Sequence, residues 1–122
     1  MLVFGHATDA VMAQLGMTPQ HLVETGTSLF TVEAHVRYLD QVGPDALLEV
    51  RSSIIGATAK KLWIWHELWV AGRLRATEEI LGLHVSAGAD ARTTPFPQGI
   101  AARIEALRVE PTEHAGRSIS VR

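Results

Sequence analysis

The chain has 122 residues, 47% of them hydrophobic and 20% charged, with a net charge of −2, the composition of one ordinary globular domain and not of a disordered chain. Its 11 Lys and Arg are scattered, so no basic stripe points to nucleic acid. The absence of cysteine removes disulfides, thiol catalysis and thiolate metal sites, and fits a cytoplasmic protein.

From Leu2 to Met17 the apolar residues Phe4, Ala7, Val11 and Leu15 recur at spacings of three and four, which predicts a helix, with Gly16 where a C-cap is expected. No Ser, Thr, Asp or Asn precedes the run, so this helix is expected to start without a side-chain cap. The same stretch lacks a basic flank and is interrupted by Asp9, so a signal peptide is not expected. No segment approaches the ~20 apolar residues of a membrane span. Thr18 followed by Pro19 opens a second, short helix ending at Gly26.

Four runs with period-two alternation follow, separated by short turn signals: Leu29 to Val42, Gly43 to Gly56, Ala59 to Gly72 and Arg73 to Gly88. Such runs predict an antiparallel meander. In the first, Phe30, Val32, Ala34, Val36 and Tyr38 share a face that wants a core, while Thr31, Glu33, His35 and Arg37 share the other. The segment from Ala87 to Gly99 is loop-like, and Gly99 to Val109 reads as a short amphipathic helix carrying Ile100, Ile104 and Leu107. Residues 1–109 are thus expected to form a single α+β domain, with 110–122 as a flexible tail. The first helix is the longest apolar element available to cover the sheet, so the sheet is expected to wrap it.

Two stretches, Val3 to Met17 and Thr31 to Val42 (TVEAHVRYLDQV), followed by the lysine-bearing run from Ala59 and by Leu83 to Pro97, resemble the hotdog-fold acyl-CoA thioesterases. The likeness is to the thioesterase domains fused to carnitine dehydrogenases, and it runs from Val3 to about Leu107. It implies a central helix wrapped by an antiparallel sheet, a homodimer or higher homo-oligomer with acyl-CoA sites between subunits, and betainyl-CoA as substrate. Such hydrolysis is expected to need no metal and no redox cofactor, and from the scattered basic residues and short apolar runs neither nucleic acid nor membrane is expected as a partner. The resemblance also implies a first strand and an acidic Asp-x-Asn-Gly-His-Met type segment ahead of the stretch matching Val3 to Met17.

Thioester hydrolysis needs a carboxylate to activate water or attack directly, and donors to polarise the carbonyl. Glu33 and His35, two apart on one strand face, are the expected catalytic pair. His6 and Asp9, about a turn apart on the first helix, are candidates for the acyl pocket or a plain surface pair. Lys60 and Lys61 could meet the phosphates of coenzyme A or simply be solvated at a strand end. Trp63, Trp65 and Trp69 form one row, either a core or subunit contact or a cation–π site for a quaternary ammonium, worth roughly 0.5–2 kcal/mol per ring. His66 and His84 have no metal-site spacing, and no Gly-x-Ser-x-Gly turn supports a serine nucleophile. The expected activity is acyl-CoA thioester hydrolysis. The alternative is a non-catalytic homodimeric module of the same fold that binds acyl-CoA or merely assembles.

Overall fold

The computed structural model describes residues 2–39, 47–86 and 92–110, the side chains of Leu2 and Val3 excepted. The turn expected at Val42 to Asp45, and all but Glu110 of the expected tail, lie outside the described residues. In chain order the elements are α1 (Leu2–Leu15), α2 (Pro19–Thr25), β1 (Thr27–Tyr38), β2 (Leu48–Ala57), β3 (Lys61–Val70), β4 (Arg73–Ser86), β5 (Arg92–Thr93) and α3 (Gln98–Leu107). Thr18 caps α2 by accepting a hydrogen bond from the His21 N–H at 3.2 Å, and Gly26 ends it in the left-handed region.

The strands form one antiparallel sheet in the order β1-β4-β3-β2. The two-residue strand β5, within a segment read as loop, pairs with the end of β4 at Val85 and Ser86, just past the last rung that β3 supplies. The β3–β4 hairpin turns on Ala71 and Gly72, whose φ angles are 51° and 76°. Positive φ at both central residues matches the right-handed twist of the strands, but only the glycine adopts it freely.

Helices α1 and α3 cover the same face of the sheet. Val11, Leu15, Met17, Ile54, Leu62, Ile64, Ile80, Phe96, Ile100 and Ile104 form one buried cluster, so α3 shares the work expected of α1 alone. Phe4 extends the contact onto Leu68 and Ala76. Residues of opposite phase, Ile55, Trp63, Trp65 and Leu81, cluster on the other face.

The alternation read into β1 needs correcting. The register slips between Thr31 and Glu33, so two residues of β1 oppose one step of β4. Leu29 and Thr31 on one side of this bulge and Ala34 on the other all face α1. The row expected to be a core face is largely bare: Phe30, Val32, Val36 and Tyr38 are 51%, 52%, 37% and 68% exposed. β1 is an edge strand, and among the described residues nothing lies beyond it.

Candidate functional site between the first helix and the sheet

Among the described residues, openings lie on both sides of α1. On the β2 side a cavity of about 460 Å³ is lined by His6, Ala10 and Gln14 of the helix and by Val50 and Ser52 of the strand. On the opposite side a cavity of about 300 Å³ lies between α1 (Thr8, Asp9, Met12), β1 (Leu29, Thr31, Ala34) and β4 (Glu78, Ile80).

A hydrogen-bonded chain runs under the helix from one cavity wall to the other. His66 is fully buried on β3, stacked on Phe4 with ring centroids 5.7 Å apart. Its Nδ1 lies 2.7 Å from the Ser52 hydroxyl and its Nε2 lies 2.8 Å from the Thr8 hydroxyl. Thr8 donates its single proton to the Phe4 carbonyl at 3.1 Å, so it must accept from His66. The network therefore assigns the proton of the neutral ring to Nε2 and makes Ser52 the donor to Nδ1. Burial lowers the His66 pKa from 6.5 to about 4, so the ring stays neutral and the chain fully satisfied.

Glu78 stands beside His66 on the neighbouring strand, directly opposite it in register and facing α1. It is only 8% exposed, and its carboxylate makes no hydrogen bond or ion pair with the described residues. Burial pushes its pKa up, an effect opposed by the positive amino terminus. Asp9 is exposed at the mouth of the same cavity, which thus holds one shallow and one deep carboxylate.

The residues singled out from the sequence are dispersed by the fold. His6 and Asp9 are split between the two cavities flanking α1. Glu33 and His35 pair with Leu81 and Glu79 of β4, which puts them on the sheet face away from α1. There their side chains are 51% and 44% exposed, and the carboxylate lies 3.6 Å from the imidazole. Trp63 and Trp65 are buried on that outer face, 1% and 3% exposed. The Glu67 carboxylate accepts from the indole N–H groups of both Trp65 and Trp69 at 2.9 Å, and Arg51 occupies the Trp69 ring face at 4.3 Å. Lys60 and Lys61 are exposed at the β2–β3 turn, their backbone N–H groups donating to Thr58. Among the described residues no three His, Asp or Glu side chains converge enough to hold a metal ion.

Thr8, Ser52 and Glu78 were not singled out as site residues, and His66 was considered only as a metal ligand. The signal for Glu78 is its phase: Ala76, Glu78 and Ile80 alternate inward on β4, and a carboxylate in such a row is out of place unless it has a task.

A long helix laid across an antiparallel sheet, with a cavity between it and an edge strand, is the hotdog arrangement of acyl-CoA thioesterases. The chain belongs to the Thioesterase-like superfamily, whose family profile matches residues 1–104. It is 41% identical over 109 residues to the betainyl-CoA thioesterase of Pseudomonas aeruginosa, an alignment covering 88% of this chain and 68% of that one. It is 32% identical over 95 residues to the L-carnitine dehydrogenase/betainyl-CoA thioesterase of Ruegeria pomeroyi, covering 78% of this chain but 19% of that longer protein. Among solved structures, a Staphylococcus aureus protein in complex with CoA superposes with a TM-score of 0.86 at 20% identity, covering 99% of this chain and 80% of that one, a likeness of fold. No described helix is long and apolar enough to cross a membrane.

Proposed function

We propose that this chain is a homodimeric, cytoplasmic acyl-CoA thioesterase that hydrolyses betainyl-CoA or a similarly short, cationic acyl thioester. The observation that carries the reading is the cavity between α1 and the β1–β4 edge, which presents Asp9 at its mouth in a chain 41% identical to a betainyl-CoA thioesterase. Asp9 takes the role of general base in place of Glu33, because Asp9 borders a space able to hold an acyl group while Glu33 stands on the open face of the sheet. Its carboxylate accepts a proton from water as the water oxygen attacks the thioester carbonyl carbon. The C–S bond then breaks, coenzyme A departs as a thiolate that is protonated, and the free acid remains. No metal or redox cofactor enters this scheme.

The bare edge of β1 supports dimerisation. An unpaired strand carrying exposed Phe30, Val32, Val36 and Tyr38 invites the same strand of a second copy, which would continue the sheet and wall the cavity from outside.

The test is thiol release from a panel of acyl-CoAs that includes betainyl-CoA, with the mass in solution measured in parallel. A dimer with turnover is expected, and Asp9→Asn is expected to lower kcat by about 100-fold or more. A folded protein that releases no thiol from any member overturns the enzymatic reading. The exposed placement of Glu33 and His35 favours a second reading, a homodimeric module that binds acyl-CoA without cleaving it. Tight CoA-ester binding without turnover would establish that one.

A further inference from the structure

Resting on the thioesterase reading, we propose that the inner end of the α1–β1–β4 cavity is a recognition site for a compact cation with an apolar shell, the quaternary ammonium end of the acyl group, and that Glu78 is the residue selecting for it.

A quaternary ammonium carries a full positive charge but has no N–H to donate, so its receptor must supply two things. It needs a negative charge nearby, and around that charge an apolar wall for the methyl groups. The cavity has both. Glu78 is more than nine-tenths buried, faces the cavity, has no hydrogen-bond donor among the described residues, and is reached only through space by the charge of the amino terminus. A carboxylate in that position is costly unless a counter-charge joins it. Met12, Leu29, Ala34 and Ile80 provide the apolar wall, and the nearby hydroxyls of Thr8 and Thr31 are too few to hydrate an ion fully. A site built for a primary ammonium would instead converge several acceptors on one point.

The geometry also divides the labour between the two carboxylates. In a betainyl thioester one methylene separates the cationic nitrogen from the carbonyl carbon. A cation seated against deep Glu78 therefore leaves the thioester near shallow Asp9, where water enters. The tryptophan row, the other cation receptor considered from the sequence, lies on the far face of the sheet with two rings buried and the third already covered by Arg51.

Two measurements test this. In the first, kcat/KM is determined for betainyl-CoA and for 3,3-dimethylbutyryl-CoA, the neutral isostere with carbon in place of nitrogen. In the second, calorimetry compares the corresponding non-hydrolysable thioethers, so that recognition is read without turnover. The protein is expected to favour the charged member in both, and Glu78→Gln is expected to reduce the charged-to-neutral ratio at least tenfold, through KM more than kcat, while Glu78→Asp retains the preference. Should Glu78→Gln fail to fold, Thr31→Lys at the exposed β1 wall plants a fixed cation there and is expected to lower the same ratio. An unchanged ratio in the folded variants overturns the assignment. A charged-ligand preference that Glu78→Gln abolishes, in a protein that hydrolyses nothing, would uphold the assignment and sink the enzymatic reading instead.

Discussion

Neutral His66 makes acid stability the sharpest test of the packing beneath α1. In the folded chain the ring is fully buried and its pKa is lowered from 6.5 to about 4. The unfolded chain therefore takes up a proton near pH 6.5 that the folded chain refuses until about pH 4. The sign follows: His66 favours the folded state least in acid, its contribution disappearing as pH falls from about 7.5 towards 4. The interval corresponds to about 3 kcal/mol, at 1.36 kcal/mol for each pH unit. That is a large part of the 5–15 kcal/mol a small domain typically has. Glu78, opposite His66, works the other way: its raised pKa contributes stability at low pH that is lost as pH rises. The clean reading is therefore the difference between wild type and His66→Gln, taken from urea unfolding at half-unit steps from pH 4 to 7.5. Gln loses the Phe4 stack, so the variant starts less stable at neutral pH, and the gap is expected to narrow by about 3 kcal/mol towards pH 4. Parallel curves would show that the ring is hydrated or charged in the folded chain, and the Ser52–His66–Thr8 chain would fall with them.

Other outcomes follow from single residues. Ala71 holds φ 51° in the β3–β4 turn, so Ala71→Asn is expected to raise stability by up to about 1 kcal/mol, seen as a higher thermal midpoint. A Cβ on Gly82 would lie 2.8 Å from Leu29 Cγ, so Gly82→Ala must push Leu29 aside. That substitution is expected to cost about 1–3 kcal/mol in urea unfolding and to raise KM, since Leu29 walls the α1–β1–β4 cavity. Glu33→Gln, on the outer face, is expected to keep thiol release within about threefold of wild type, well short of the 10²–10⁴-fold worth of a general base. A loss of 100-fold or more there would return the catalytic role to β1.

How much of this was legible in the residues depends on scale. The helix over Leu2–Leu15, the capped turn at Thr18, four long strands and the terminal helix follow from periodicity and punctuation, and the TVEAHVRYL stretch carried the family resemblance. These are properties of local sequence, where each residue's neighbours decide the outcome. The site was less legible because it is made across strands. Strict alternation cannot anticipate the bulge after Thr31, and with it the pooling of Leu29, Thr31 and Ala34 on one wall. Nor does it say that Ser52, His66 and Thr8, up to 58 positions apart, meet under one helix. Glu33 and His35 stood out as chemically capable, but capability is not address: register with β4 sent them outward, and the same register sent Glu78 inward.

The bulge in β1 sets where the strand can absorb the loss of a residue. Because Val32 is the extra residue between the rungs of Thr31 and Glu33, losing its codon would close the bulge and leave the pairings on both sides as they are, whereas a loss elsewhere in the strand would turn part of it over. Glu33 and His35 would stay on the outer face and Ala34 beneath the helix, since each keeps its partner on β4. Among related chains, a one-residue gap at this point is thus expected to leave acyl preference as it is, while the same gap two or three residues away is expected to change it.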